Sequence, residues 1–301
     1  MNERKSPDIN MITEKHNQNS KDLDKMVTRD IVELLNDEDI KAAKAVGKIS
    51  DEIADFIDKL ASRMEKGGRL IYVGAGTSGR MGVLDAVECT PTFGLDSERI
   101  KGIIAGGRQA MFNAFEDLED NKSLGRRRID EENLNERDTV LGIAASGKTP
   151  FVVGAVERAG EKGVLTGALV CNHDTKLAQK ADFELKVIVG PEVLAGSTRL
   201  KAGTAQKMVL NTISTTVMSR LNRVYSNLMV DLEVNNKKLQ KRAERIFLKI
   251  TDSEWKAARN YLRMSDYDVK KAVVMFEKGV DIEKAAELLQ SYNGDLRKII
   301  G

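Results

Sequence analysis

Short apolar runs at 70–73, 100–105, 140–144, 164–170 and 185–189 mark the middle of the chain. Each is apolar on successive residues, the pattern of strands buried on both faces. Most end in Gly, Ser or Asn, and helical patterns separate most of them. Strand, turn and helix repeated in this way predict a parallel sheet with helices on both faces. Ahead of that region no strand pattern appears. Leu23, Met26, Val27, Ile31, Leu34 and Leu35 recur at helical spacing, and Asn36-Asp37-Glu38-Asp39 is expected to break that helix and cap the next. The second helix carries Ile40, Ala43, Val46, Ile53, Phe56, Ile57 and Leu60 on one face until Gly67-Gly68 stops it. The stretch 198–225 predicts one long helix with Leu200, Thr204, Met208, Ile213, Val217 and Leu221 inward. Three short helical patterns follow at 253–263, 266–278 and 282–290, each opened or preceded by Ser or Asp caps. The expected organisation is an N-terminal helical segment at 1–59, an α/β domain at 60–225, a connecting segment at 226–248 and a small helical module at 249–301.

Charge narrows the possible partners. The 48 Lys and Arg are balanced by 46 Asp and Glu, leaving +2. So small a surplus provides no field for a polyanion, which counts against nucleic acid or an acidic membrane surface as main partner. No stretch approaches the roughly 20 apolar residues of a membrane helix. The first 20 residues are polar, without the apolar core of a signal peptide, so the chain reads as soluble and cytoplasmic. Cys89 and Cys171 cannot make a disulfide framework. With only His16 and His173 they give no metal-ligand spacing, and neither a metal nor a cofactor is expected.

Candidate chemistry begins after the first strand. Gly74-Ala75-Gly76-Thr77-Ser78-Gly79 opens a helix there. Its glycines let a ligand approach the backbone, the helix start presents amides to an anion, and Thr77 and Ser78 add hydroxyl donors. No Gly-Lys-Ser/Thr follows, so this is not a Walker loop, and the third glycine comes too early for a dinucleotide fingerprint. A second hydroxyl-rich turn, Ala145-Ser146-Gly147-Lys148-Thr149-Pro150, also joins a strand to a helix, with Pro150 suited to the first helical turn. One such turn is ordinary punctuation, but two on one parallel sheet favour a small phosphorylated ligand. The stretch from Gly190 to Lys207 brings Ser197, Thr198, Arg199, Lys201 and Lys207 to the entrance of the long helix, where hydroxyls and cations suit an anionic oxygen.

Two glutamates stand out beside these turns. Glu88, in Asp85-Ala86-Val87-Glu88-Cys89, lies 12 residues beyond Gly76, and Glu119, in the acidic cluster Glu116, Asp117, Glu119 and Asp120, lies 12 beyond Gly107. Each taken alone reads as a solvated helix end. The matched spacing would put them at equivalent places on two helices, where paired carboxylates can divide acid and base roles. His173 reads as a polar loop residue, and Cys89 as a packed residue rather than a nucleophile.

With these residues assembled, the chain resembles the N-acetylmuramic acid 6-phosphate etherases, a branch of the sugar isomerase (SIS) domain proteins. The likeness covers almost all of residues 10–250. It runs through Met11-Ile12-Thr13-Glu14, the two turns with their strands, and Asp85-Ala86-Val87-Glu88-Cys89. It continues through Gly190-Pro191-Glu192, Ser197-Thr198-Arg199, Lys201-Ala202-Gly203-Thr204-Ala205-Gln206-Lys207 and Asn227-Leu228-Met229-Val230-Asp231. The resemblance implies an SIS-type fold and cleavage of the D-lactyl ether of N-acetylmuramic acid 6-phosphate, giving N-acetylglucosamine 6-phosphate and D-lactate, in cell-wall amino sugar catabolism. It implies Glu88 as proton donor and Glu119 as the second active-site glutamate. A sugar phosphate held by Gly76, Thr77, Ser78, Gly79, Ser146, Gly147, Thr149, Ser197, Thr198 and Lys207 follows from the turns and the resemblance together. Thr90 stands where many members have Pro, and Arg108 where others often have an acidic or neutral residue.

Helix geometry then bears on assembly. If both helices ran unbroken from their glycine turns, each glutamate would lie ~18 Å along its axis, too far from a phosphate at the same helix start. Either the helices bend or begin late, or a second subunit completes the site; SIS relatives commonly dimerise, so a homodimer is expected. The rivals are a sugar-phosphate sensor, disfavoured because residues 1–55 show no basic helix-turn-helix, and an aldose–ketose isomerase or deaminase.

Overall fold

The computed structural model describes residues 11–301, the side chain of Glu116 apart; the first ten residues of the expected N-terminal segment lie outside that range. The chain divides into two compact units, Met1–Ala86 with Glu98–Ile213, and Val87–Ser97 with Ser214–Gly301.

In the first unit, α1 (Thr28–Gly47) and α2 (Ser50–Glu65) precede β1 (Leu70–Gly74). Then come α3 (Gly76–Phe93), β2 (Ile100–Ile104), α4 (Glu116–Glu119), α5 (Lys122–Glu131) and β3 (Thr139–Ile143). The series closes with α6 (Pro150–Glu161), β4 (Leu165–Val170), β5 (Phe183–Lys186) and α7 (Lys201–Arg220). The five strands form one parallel sheet in the order β2-β1-β3-β4-β5, with Gly74 opposite Ile104 on one side and Ile143 on the other. Every residue of β1 and β3 is buried, in keeping with sequences that are apolar but for Thr139. Ile71, Val73, Val140, Phe151, Val152 and Val156 belong to one core cluster. Phe56 of α2 is fully buried, edge-on to Phe183, and a Cβ on Gly167 would come within 2.9 Å of its ring. That glycine is therefore space for a side chain whose removal would cost ~3–5 kcal/mol. α2 ends as the glycine pair predicts: Gly67 has φ +87°, and the amides of Gly67 and Gly68 bond to the carbonyls of Met64 and Arg63.

Two helices depart from expectation. α1 runs straight through Asn36-Asp37-Glu38-Asp39 and breaks only at Lys48 and Ile49. Glu38 is buried instead of capping; its carboxylate pairs with Lys201, with Lys41 at 2.6 Å, and accepts from Asn19. α7 begins at Lys201 and ends at Arg220, and its buried stripe runs through Ala202, Ala205, Val209, Ile213 and Val217, with Thr204 exposed. Asn222, at φ +60°, then turns the chain into a hairpin of β6 (Val224–Tyr225) and β7 (Leu228–Met229).

The second unit adds α8 (Lys237–Thr251), α9 (Trp255–Met264), α10 (Val269–Lys278), α11 (Ile282–Ser291) and α12 (Leu296–Ile300). Side chains of Asn236, Asp268, Asp281 and Asp295 each accept an amide three residues on, fixing the starts of four of these helices. Phe247, Tyr261 and Phe276 pack ring to ring within its core. Among the described residues no helix is long and apolar enough to cross a membrane.

Candidate active site

β1 sits between β2 and β3, so the strand order reverses beside it. In open parallel sheets the carboxyl ends of the strands at such a reversal spread apart and leave a crevice. The two hydroxyl-rich turns follow β1 and β3 and therefore flank that crevice.

The first turn is tightly built. α3 starts at Gly76, which has φ +49°. A Cβ on Gly79 would lie 2.6 Å from Ile104 and 2.9 Å from the Gly74 backbone, so no larger residue fits there. Ser78 Oγ donates to Gln206 Oε1 of α7 at 2.9 Å, and a Cβ on Gly203 would touch Thr77 at 3.3 Å. The first turn of α7 thus packs on this loop. Gln206 is 1% exposed, and among the described residues its Nε2 has no hydrogen-bond partner, an unmet buried donor beside the hydroxyls.

Glu119 comes to the same place by a different route from the expected helix. After β2 the chain turns at Gly106 (φ +85°) and Gly107 (φ +62°), makes a 3-10 turn over Gly107–Met111, and only then forms the four-residue α4. No helix runs from Gly107 to Glu119, so the matched spacing with Glu88 has no structural counterpart. The path instead sets the Glu119 Oε1 atom 3.0 Å from where a Cβ on Gly76 would stand. Glu88 lies on α3, which is continuous from Gly76 to Phe93 with Pro91 inside its last turn. The helix does not begin late, so Glu88 is ~18 Å along it from the turn at ~1.5 Å per residue. Glu88 is exposed, and Leu84 and Val87, on the same face, are 48% and 63% exposed. Asp85, by contrast, is buried, accepting from Tyr72 Oη at 2.9 Å and Asn211 Nδ2 at 2.7 Å, and ties α3 to β1 and α7.

At the second turn Gly147 has φ +62°, and a Cβ there would collide with Thr175 at 2.3 Å. Ser146 Oγ accepts the Lys148 amide at 3.2 Å, and Pro150 takes the first position of α6. Ser146, Lys148 and Thr149 line a cavity of about 540 Å³ together with Met11, Glu14 and Asp120. The N-terminal segment reaches it because Asn172, 2% exposed, holds it there. Asn172 Oδ1 accepts the Ile12 amide at 2.8 Å, while Nδ2 donates to Thr13 Oγ1 and to the Ala145 carbonyl.

The segment from Gly190 to Lys207 is organised by buried charge. Glu192, wholly buried, accepts the amides of Lys201 at 3.0 Å and Ala202 at 2.9 Å, capping α7. Burial pushes the Glu192 carboxyl up, against those two hydrogen bonds. Burial also pushes Glu38 up, but its bonds to Lys201, Lys41, Asn17 and Asn19 outweigh that and hold it at about 2. Ser197 and Thr198 form the turn before α7, with the Gly203 amide bonded to the Thr198 carbonyl at 3.0 Å; Lys207 is exposed one turn beyond. His173 is exposed, and Cys89 and Cys171 are buried, with burial driving the Cys171 thiol up to about 12.

The structure therefore gathers Gly76 to Gly79 with Glu119, Gln206 and the start of α7, and Ser146, Lys148 and Thr149 with Glu14. Gln206, Asn172 and Glu14 were not singled out from the sequence as site residues. The signals for them are a polar residue within the α7 repeat, one just past β4, and the segment Met11-Ile12-Thr13-Glu14. Among the described residues no three His, Cys, Asp or Glu side chains are placed to share a metal ion.

Comparison with known proteins adds to this geometry. The family model of the glucokinase regulatory protein N-terminal SIS domain matches residues 52–159, and that of the SIS domain residues 128–215. The chain is 49% identical over 290 residues to the N-acetylmuramic acid 6-phosphate etherase of Caldanaerobacter subterraneus subsp. tengcongensis, covering 96% of this chain and 95% of that protein. It is 46% identical over 290 residues to N-acetylmuramic acid 6-phosphate etherase 1 of Bacillus licheniformis, with the same coverage of 96% and 95%. A candidate phosphosugar isomerase involved in capsule formation from Bacteroides fragilis superposes with a TM-score of 0.50 at 19% identity, over 65% of this chain and 94% of that one, a likeness of fold.

Proposed function

The chain belongs to the N-acetylmuramic acid 6-phosphate etherases, lyases of SIS fold, and on that premise we propose how its own residues cleave the lactyl ether. The observation that carries the reading is the Glu119 carboxylate lying against Gly76 at the crevice. An alkyl ether resists direct displacement. Opening the sugar ring makes C1 an aldehyde and the C2 proton acidic. Glu119 removes that proton, the C2–H electrons form the C2=C3 bond, and the C3–O bond breaks. The departing lactyl oxygen takes a proton from Glu88. Water then adds at C3 and a proton returns to C2, giving N-acetylglucosamine 6-phosphate and D-lactate. Backbone amides and the hydroxyl of Thr77 stabilise the oxygen that gains charge.

The phosphate belongs at the second turn. Ser146, Gly147 and Thr149 stand at the start of α6, and Lys148 beside them sets a cation against the Glu14 and Asp120 carboxylates that line the same cavity. Ser197, Thr198 and Lys207 close the substrate from the side of α7. Glu88 serves a site completed by a second copy of the chain: it is far along α3 from its own turn and shares an exposed face with Leu84 and Val87, apolar area suited to a subunit contact. The reaction serves cell-wall amino sugar catabolism in the cytoplasm.

Glu119→Gln and Glu88→Gln keep shape and remove the charge, and each lowers lactate release on the order of 100-fold or more. Folded variants with near-normal rates would refute the assignment. Mixing a Glu88-defective chain with a Glu119-defective chain restores activity in heterodimers, and a fully active monomer in sedimentation would remove the shared site.

A further inference from the structure

The elimination scheme needs an open-chain sugar, yet neither Glu88 nor Glu119 is assigned to opening the ring. We propose that Glu14 does so, as the acid–base group that moves the proton between O1 and O5 of the substrate. The inference rests on the placement of the phosphate at the second turn. From there O5 is the nearest ring heteroatom, separated from the phosphate-bearing C6 only by C5, while C2 and C3 extend toward the first turn and Glu119.

Glu14 is a third carboxylate of the crevice, contributed by a segment ahead of the α/β region. It lines the cavity that Ser146, Lys148 and Thr149 open onto. At about 540 Å³ this cavity is of the size that takes a small ligand. The position is built from several independent contacts. Thr13 is wholly buried, its carbonyl accepts the Gly196 amide at 3.0 Å, and its hydroxyl accepts from Asn172 at 3.1 Å. The same Asn172 amide donates to the carbonyl of Ala145 at 2.9 Å, the residue before Ser146, so the segment is fixed to the second turn itself. Asn17 and Ser20 continue the attachment through the carbonyls of Pro191 and Val193. Gly196, at φ +77°, leaves room for the carboxylate: a Cβ there would stand 3.0 Å from Glu14 Oε2. Among the described residues no cation or hydrogen-bond donor side chain is bonded to the Glu14 carboxylate, which leaves it available to a hydroxyl. Asp120 lines the same cavity but follows the short α4, without comparable anchoring.

The step balances without any co-reactant. Glu14 takes the O1 proton, and the O1–H electrons become the second bond of the C1 carbonyl. The C1–O5 bond breaks with its electrons on O5, and O5 takes the proton back from Glu14. Closing the product ring is the same step reversed, and with rotation about C1–C2 before closure it interconverts the two anomers of N-acetylglucosamine 6-phosphate.

That consequence gives a test separate from ether cleavage. NMR exchange spectroscopy on saturating N-acetylglucosamine 6-phosphate measures anomer interconversion with and without enzyme. The wild-type protein accelerates it, Glu14→Gln reduces the acceleration at least tenfold, and Glu14→Asp recovers part of it. Asp120→Asn keeps it, and Glu119→Gln is read by its loss of lactate release. A wild-type enzyme without acceleration, or Glu14→Gln matching wild type, would overturn the proposal. If Glu119→Gln released lactate normally while Glu14→Gln alone lost anomer exchange, the ring-opening role would stand and the elimination reading would fall.

Discussion

Replacing Gly76 by alanine probes the contact on which the site depends. Two costs are separable. At φ +49° a residue with a Cβ is strained by ~1–2 kcal/mol. In a unit of this size that lowers the unfolding temperature by about 2–8 °C. The new methyl would also stand 3.0 Å from Glu119 Oε1, closer than ordinary van der Waals contact, so the carboxylate must retreat by a few tenths of an ångström. A misplacement of ~1 Å costs about 100-fold in rate, so this smaller displacement predicts a loss of kcat on the order of tenfold. Gly107→Ala is the control: it sits at φ +62° with nothing within 4 Å of the added carbon, so it bears the backbone strain alone. Lactate release by a coupled dehydrogenase assay and thermal unfolding, run on both variants, read the two costs. Both should lose stability, and only Gly76→Ala should lose kcat. Equal kcat in the two variants would refute the claim that Glu119 works from its position against Gly76.

Lys201→Met removes the buried cation paired with Glu38 and leaves Lys41 and Asn19 on that carboxylate, and should cost ~1–3 kcal/mol in urea unfolding, with Glu38→Gln added to it recovering part of the loss. Because Glu38 is held at about 2 against an ordinary 4.5, its contribution is complete above 4.5 and disappears as pH falls from there toward 2. Stability of the Glu38→Gln protein should lack that component of the acid dependence. Cys171, wholly buried with its thiol driven up to about 12, should resist iodoacetamide at pH ~8 until the chain is unfolded, read by mass spectrometry.

The sheet was legible because strands buried on both faces are apolar at most positions, and β1 and β3 are so but for Thr139. The two turns were legible as well, since glycine and hydroxyl residues between a strand and a helix have a local cause. What sequence spacing could not show was set by partners far along the chain. Asn36-Asp37-Glu38-Asp39 has the composition of a break, yet Lys201, 163 residues away, draws Glu38 into a continuous helix. The helical spacing that matches Glu119 to Glu88 has no counterpart in the fold. Glu119 reaches Gly76 through two left-handed glycines and a 3-10 turn, a path no periodicity encodes. Glu14 lay within a recognisable segment, but its role depends on Asn172 and Gly196, which meet it only in the folded chain.

The most direct test of the two-glutamate elimination follows the atoms. Turnover of N-acetylmuramic acid 6-phosphate in water enriched in oxygen-18 and deuterium should place the oxygen label at O3 of N-acetylglucosamine 6-phosphate and deuterium at its C2. The lactate should be unlabelled at its hydroxyl, because it leaves with the ether oxygen. Oxygen-18 in the lactate with no deuterium at C2 would mean displacement at the lactyl carbon, and would contradict the account.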